Sequence, residues 1–359
     1  MITTAIVNYK SHALTIRAAQ SVDADLPNGQ IIVVDNSEDP NEAIALKAGL
    51  PKNATLYISK ENIGFGRACN LAFGQAKHEY IFLLNPDATV LPGCLEKLHA
   101  FLVSTPTAGA VSPLCYWDQA CTWCLPPGQM PSPAKDFALN LAMRFPVLGI
   151  KTSIGFRAWA LKRLKSEKAE KMNMLSGGHM LLRKSAITAA GGLFDDNIFM
   201  YFEDTDLCRR LKSTGHVLYM LNSAQAIHSW QFQPEKAQLS EASHQYYLNK
   251  HFPNDWWHKA TSFLSRHFPV RPPPSINLGT VNTPPGLKVP EEWQSGWILE
   301  ASAHPLMVPA AYLTGEGPIA TISAEVWSLI GTGNYWLQLS PAKIFIAPKE
   351  IERYSFRRT

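Results

Sequence analysis

Apolar residues come in short runs separated by helical stretches. Ile31-Ile32-Val33-Val34 is four β-branched residues in a row, the pattern of a strand buried on both faces of a parallel sheet. Thr4-Ala5-Ile6-Val7, Thr55-Leu56-Tyr57-Ile58 and Tyr80-Ile81-Phe82-Leu83-Leu84 are runs of the same kind. Helices are predicted from Ser11 to about Val22, near Pro40–Ala48, from the Gly64-Phe65-Gly66 turn through Ala76, and from Pro92 to about Val103. In the first of these, Leu14, Ile16 and Ala18 are the inward candidates. This alternation predicts an α/β fold, a mostly parallel central sheet flanked by helices on both faces. Such sheets bind ligands at the carboxyl ends of their strands. Three polar clusters fall there: Asn8-Tyr9, Asp35-Asn36-Ser37 and Asn85-Pro86-Asp87.

Residues 105–172 interrupt the pattern with Pro106, Pro113, Pro126, Pro127, Pro131 and Pro133. From 135 to 171 the chain turns helical, apolar and basic, so about 126–172 reads as a helical insertion. Two readings stay open for it: a surface lying on an anionic membrane, or a packed insertion with a solvated basic face. Order returns at Ser176-Gly177-Gly178. Strands follow at His179–Leu182, Val217–Met220 and Ala224–His228, with helices from Ser185 and near Ser240–Lys250. The Pro-rich stretch 269–290 reads as a stiff linker closing a first domain at 1–268. Short β-type runs after it predict a small β-rich module at 291–359. Its Trp and Tyr residues suit core packing, sugar stacking or an oligomer contact.

Composition adds exclusions. A formal charge of +4 over 359 residues is too weak to argue for nucleic acid. No apolar stretch is long enough to span a bilayer, and the first nine residues lack the features of a secretory signal. The expectation is a cytoplasmic protein, at the inner face of the cytoplasmic membrane if 135–171 touches lipid. Six scattered cysteines suggest reduced thiols. Cys121-Thr122-Trp123-Cys124 lacks the second ligand pair that a structural zinc site needs.

The densest candidate chemistry is Phe199-Met200-Tyr201-Phe202-Glu203-Asp204-Thr205-Asp206. Acids in a first helical turn are favoured by the helix dipole, which accounts for one or two of the three carboxylates. Three together behind an aromatic wall repel one another, and burial raises their pKa values. Glu203 and Asp206 share a helix face at i and i+3, whereas Asp204 points elsewhere. From the residues alone the three acids stay open: Glu203 and Asp206 either support Asp204 or serve the acidic helix start.

In order along the chain come Asn8-Tyr9, Asp35-Asn36-Ser37, Asn62 through Gly64 to Asn70, Asn85-Pro86-Asp87, Ser176-Gly177-Gly178, Gly191-Gly192-Leu193-Phe194-Asp195, Glu203-Asp204-Thr205-Asp206 and Ile227-His228. Together these resemble a family 2 glycosyltransferase of the GT-A fold, in its rhamnosyltransferase-like branch, over about residues 1–250. The resemblance implies an inverting transfer from a nucleotide sugar to the hydroxyl of a glycan or polyprenyl-linked acceptor in cell-surface polysaccharide synthesis, with dTDP-rhamnose favoured as donor. It places Asn8, Tyr9, Asp35, Asn62, Gly64, Arg67, Asn85 and Asp87 on the nucleotide-sugar side, and Ser176, Gly177 and Gly178 on the acceptor side. Asp204 matches the catalytic base. Asp87 matches the last acid of the DxD element, whose first position here is Asn85, and His228 matches a late metal-ligand histidine. The implied cofactor is Mg²⁺ or Mn²⁺. Physical chemistry agrees: a cation stabilises a diphosphate leaving group, and a sugar hydroxyl needs a positioned carboxylate to take its proton. Two other functions use a similar fold. A nucleotide-sugar pyrophosphorylase would want a glycine-rich basic loop after the first strand, where Asn8-Tyr9-Lys10-Ser11 stands. A catalytically silent glycan-binding or scaffolding protein would not need Asp87, Asp204 and His228 together.

Overall fold

The structure is a computed structural model and describes residues 1–231 and 237–359. The first four runs form the strands expected: β1 (Ile2–Asn8), β2 (Gln30–Asp35), β3 (Ala54–Ile58) and β4 (Tyr80–Leu84). They pair in parallel in the order β3-β2-β1-β4. Because side chains alternate across a strand, the continuous apolar runs feed two cores. Ile31 and Val33 pack with Ile2 and Ile6 beneath α1 (His12–Asp25), α2 (Pro40–Gly49) and α4 (Cys94–Ser104). Ile32 and Val34 pack with Ala5 and Val7 against α3 (Phe65–Gly74) on the other face. Within α1 the fully buried residues are Thr15, Ala18, Ala19 and Val22, with Leu14 and Ile16 half-buried.

Beyond β4 the sheet becomes mixed. After β5 (Ala88–Val90) and α4 (Cys94–Ser104), a nine-residue strand, β6 (Ala108–Tyr116), runs through the stretch where prolines suggested disorder in the pattern. Pro113 is tolerated because it falls where the pairing with β10 (Val217–His228) shifts register, between Leu221 and Gln225. The same irregularity explains why β10 reads as two strands in the sequence and is one. The remaining strands of this half are β7 (Trp123–Cys124), β8 (Glu170–Met172) and β9 (His179–Arg183). β9 lies antiparallel between β4 and β6. Three more helices complete the half: α7 (Lys184–Ala189), α8 (Glu203–Ser213) and α9 (Ala237–His251), with α10 (Trp256–His267) following.

The insertion is two helices, α5 (Pro133–Ala142) and α6 (Pro146–Leu164). Most of α6 is packed: Phe156, Ala160 and Leu161 join Ile298, Met307 and Tyr312 in a separate core. Arg157 and Glu300 form an ion pair at 3.3 Å with both side chains fully buried. Burial pushes the Glu300 carboxyl up to about 7 despite that partner. The α5–α6 corner leaves Phe145, Val147 and Leu148 exposed beside Phe263, Phe268 and Val270 of the α10 region.

The stretch read as a linker carries β11 (Ile276–Val281) and β12 (Leu287–Lys288), so only its proline-dense start and the bends between are free of pairing. The expected β-rich module contains β13 (Trp297–Ser302), β14 (Ala311–Gly315), β15 (Ile319–Ala320), α11 (Ala324–Leu329), β16 (Gly333–Pro341) and β17 (Glu352–Arg358). Trp293, Trp297, Trp327 and Tyr335 are buried in its core. The module shares one sheet with the first half, because β14 pairs antiparallel with the two residues of β7, and β7 pairs with β6. Cys124 belongs to that seam, and both Cys121 and Cys124 are free thiols.

Candidate active site

Strand register brings the site together. Leu84 pairs with His179, so the next residue, Asn85, donates its backbone N–H to the Gly178 carbonyl at 2.9 Å. β5 pairs antiparallel with the end of β10, placing His228 opposite Ala88 and beside Asp87. His228 Nε2 stands 3.2 Å from Asp87 Oδ1 and 3.5 Å from Asn85 Nδ2. His228 holds the Asp87 carboxyl below its usual range, against a larger opposing effect of burial.

Gly177 and Gly178 sit between this cluster and α8. A Cβ on Gly178 would lie 2.8 Å from Asn85 Nδ2 and 3.0 Å from His228 Cε1. A Cβ on Gly177 would lie 3.1 Å from the Asp204 Cβ. The Gly177 N–H donates to Asp204 Oδ2 at 2.9 Å. Two adjacent residues, with Cα atoms about 3.8 Å apart, thus touch Asp204 on one side and the Asn85–His228 pair on the other.

The three acids of α8 divide sharply. Asp204 is half-buried and accepts from Gly177 N–H, from Thr205 N–H at 2.6 Å and from Thr205 Oγ at 3.2 Å. Desolvation still raises its pKa. Glu203 is 6% exposed, and its Oε2 has no hydrogen-bond partner. Burial, with Asp204 alongside, pushes it up to about 8, so Glu203 carries the proton at neutral pH. Asp206 is fully buried and ionised, held by Arg210 Nε, Lys250 Nζ and His251 Nε2, each at 2.7 Å. Desolvation opposes these partners, and they still depress its pKa. Asp206 therefore fastens α8 to α9. Before the helix, Tyr201 and Phe202 both adopt left-handed backbone (φ 68° and 67°), each at a cost of about 1–3 kcal/mol. Phe202 stacks on His244 of α9 with centroids 4.8 Å apart, and the Phe199 carbonyl accepts from Phe65 N–H.

On the opposite side of β4, Asn8 is completely buried and donates to Asp35 (3.0 Å), Ser37 (3.0 Å) and Glu42 (2.9 Å). It knots the ends of β1 and β2 to α2. Asp35 is 1% exposed, and Tyr9 is 43% exposed. Asn62 Oδ1 accepts from Asn36 Nδ2 and Gly64 N–H, orienting the entry to α3. Gly64 has φ +86°, and a Cβ there would sit 2.6 Å from the Phe199 carbonyl, so only glycine fits. Arg67 is exposed, and its Nε is committed to the Asp196 carbonyl at 2.8 Å. The sequence reading missed Glu42 and His179. His179 is buried and bonds Ser112 Oγ at 2.9 Å, edge-on to His228. Burial drives its pKa down to about 3, so it is neutral. It begins a strand as an isolated histidine, and only the β4–β9 register reveals its place.

No group of three or more His, Cys, Asp and Glu that could hold a metal occurs among the described residues. Asp87 Oδ1 and His228 Nε2 do suit two neighbouring positions of one ion. Adjacent ligands of an octahedral ion at 2.0–2.1 Å stand about 3 Å apart, close to the 3.2 Å seen. The carboxylate and imidazole donor set suits Mn²⁺, and Mg²⁺ accepts one or two carboxylates with substrate phosphates.

The chain aligns at 27% identity over 210 residues with an N-acetylglucosaminyl-diphospho-decaprenol L-rhamnosyltransferase of Mycobacterium tuberculosis, spanning 55% of this chain and 66% of that protein. It is 28% identical over 235 residues to the rhamnosyltransferase WbbL of Escherichia coli, spanning 62% and 81%. Among solved structures, a mannosyltransferase of Pyrobaculum calidifontis in complex with GDP-Man and Mn²⁺ superposes with a TM-score of 0.45 at 14% identity, covering 73% of each chain. The profile of glycosyl transferase family 2 matches residues 5–188, just over half of the chain, and the protein belongs to that family.

Proposed function

We propose that this protein is an inverting, metal-dependent glycosyltransferase that moves a sugar, rhamnose from dTDP-rhamnose, to a hydroxyl of a lipid-linked glycan precursor. The observation that carries the reading is the Gly177–Gly178 contact with Asp204 on one side and with Asn85 and His228 on the other. A base and a diphosphate-facing cluster thus stand on either side of two adjacent glycines. Rhamnose and the lipid-linked acceptor come from the names of the two relatives.

In this mechanism the nucleotide lies over the ends of β1 and β2, between Tyr9 and Asp35, with the Asn62–Gly64 turn and Arg67 along its diphosphate. Asp87 and His228 would hold the cation, with Asn85 beside them. When bound, Mg²⁺ or Mn²⁺ supplies Lewis-acid stabilisation of the departing diphosphate oxygens. The acceptor hydroxyl attacks the anomeric carbon from the face opposite the nucleotide. The new C–O bond forms as the bond to the diphosphate breaks, and the proton passes to Asp204. Gly177 N–H and the Thr205 donors fix the Asp204 carboxylate and oppose the desolvation that raises its pKa. Glu203 remains protonated, which removes the second negative charge that would otherwise face the incoming hydroxyl. Asp206 holds the helix that carries the base. The paired roles of Asp87, Asp204 and His228 favour this reading over a silent glycan-binding protein.

We place the peripheral contact expected of 135–171 at the α5–α6 corner and extend it to α10, outside that range. Phe145, Val147, Leu148, Trp256, Phe263 and Phe268 are exposed there. The flanking cations are Lys151, Lys259, Arg266 and Arg271, and no acidic residue occurs between Asp136 and Glu167 or between Asp255 and Glu291. Apolar rings ringed by cations match an anionic lipid surface.

Three outcomes are expected. Asp204→Asn lowers nucleotide release with acceptor present by about 10²–10⁴-fold and leaves dTDP-rhamnose affinity nearly unchanged, whereas Glu203→Gln retains transfer; an active Asp204→Asn enzyme contradicts the base assignment. Because the Glu203 pKa is raised from 4.5 to about 8 in the fold, its contribution to stability is complete below about pH 4.5 and lost as pH rises through about 8. Melting temperature should therefore fall between about pH 4.5 and pH 8 in the wild type and level off above, and fall less in Glu203→Gln. Sedimentation with phosphatidylglycerol-containing vesicles should exceed that with phosphatidylcholine vesicles, weaken with salt, and drop in a Val147→Ser/Phe263→Ser variant. Equal binding to both vesicles, or no effect of the double variant, removes the membrane surface.

A further inference from the structure

A pocket of about 270 Å³ is lined by residues of β6 and β10 and bordered on another side by the C-terminal module. Ser176, His179 and His228 form its wall toward the active site, and Ala301, Ala310 and Ala311 form the wall from β13 and the approach to β14. We propose that this cavity takes the hydrocarbon portion of the acceptor, a prenyl or alkyl chain. The inference rests on the transferase reading and extends it to the substrate's apolar end.

Position separates the cavity from the donor. In the sheet order β2-β1-β4-β9-β6-β7-β14-β13, the nucleotide side lies at β1 and β2, and the cavity lies beyond β9. Asp87 contacts His228 of the cavity wall, and Asp204 contacts Gly177, next to Ser176 of that wall. A molecule reaching from the cavity to Asp204 passes Ser176, the residue before Gly177, so it approaches from the acceptor side.

The lining selects hydrocarbon. Prolines 126, 127 and 309 and methionines 172, 174 and 220 contribute to it. Away from Ser176 and His228, the polar side chains of Ser112, Ser302 and Trp117 in the wall are engaged internally. Ser112 Oγ is bonded to His179, Ser302 Oγ donates to the Pro309 carbonyl at 2.6 Å, and Trp117 Nε1 donates to the Trp230 carbonyl at 2.8 Å. A sugar or phosphate would lose its water partners and gain few in return, whereas an apolar cavity binds apolar ligands readily. Methionine walls adapt to chains of different shape. The volume lies just under the roughly 300–1,000 Å³ of small-molecule sites, which suits the proximal part of a chain rather than a whole one. Three alanines from the module keep the space open, so the module's contribution is to complete the acceptor site.

The test is calorimetric titration of the full-length protein with 1-hexanol, 1-octanol, 1-decanol and 1-dodecanol, with and without dTDP-rhamnose. Affinity should rise about fourfold per added methylene, then level off once the cavity is filled, and it should not change when the nucleotide sugar is present. Ala311→Phe, which fills the cavity from the module, should weaken decanol binding at least tenfold and leave donor hydrolysis at the wild-type rate. Leu125→Trp, just after β7, the strand paired with β14, serves if Ala311→Phe does not melt cooperatively. No saturable binding, binding unchanged in both variants, or competition with dTDP-rhamnose overturns the proposal. Donor hydrolysis in the same samples separates the two readings. Hydrolysis without alkanol binding refutes the cavity alone, and alkanol binding without hydrolysis refutes its assignment to an acceptor.

Discussion

The close approach at Gly177 and Gly178 is the constraint on which the rest of the site depends. The β4–β9 register, the antiparallel return of β5 onto β10 and the entry of α8 all converge on two residues without side chains. A Cβ at Gly178 would meet Asn85 and His228 at 3.0 Å or less, a distance at which something must shift. The packing of four strands and one helix thus sets a proposed base and a proposed cation site on either side of one pair of glycines. The fold supplies this spacing through backbone register, which is more rigid than any loop arrangement of the same side chains.

Environment then assigns roles to chemically similar groups. Glu203 and Asp204 are neighbours, yet one has an orphaned carboxylate oxygen and the other accepts three hydrogen bonds. A buried acid without donors keeps its proton, and one with several donors can hold a charge. Asp206, two residues on, receives three cationic or imidazole partners and becomes the fastening between α8 and α9. The left-handed backbone at Tyr201 and Phe202 is tolerated because Phe202 stacks on α9 and the neighbouring Phe199 carbonyl pairs with the start of α3.

How much was legible in the sequence follows from which forces are local. Parallel strands buried on both faces are continuous apolar runs, so β1 to β4 and the helices between them could be read directly. β6 could not, since Pro113 looks like a breaker until the register shift opposite it is known. The seam joining the C-terminal module to the family domain is a two-residue strand, Trp123–Cys124, too short for any pattern to announce. A helical wheel grouped Glu203 with Asp206, because it knows residue spacing and not partners. Lys250 and His251 come from more than forty residues away, and the buried Oε2 of Glu203 is defined by what fails to reach it. Of the two readings open for the insertion, Phe156 and Leu161 follow the packed one and are core, whereas the exposed rings of α10 lie in a helix that the sequence reading did not identify.

The central claim is that one pair of glycines sets the spacing between base and cation site. Mn²⁺ binding by Gly178→Ala, followed by electron paramagnetic resonance in the presence of a nucleoside diphosphate, tests it most directly. The account predicts that a methyl group at this position displaces Asn85 or His228, weakens Mn²⁺ at least tenfold and removes transfer, with the melting transition retained. Wild-type Mn²⁺ affinity and wild-type transfer in Gly178→Ala would contradict it.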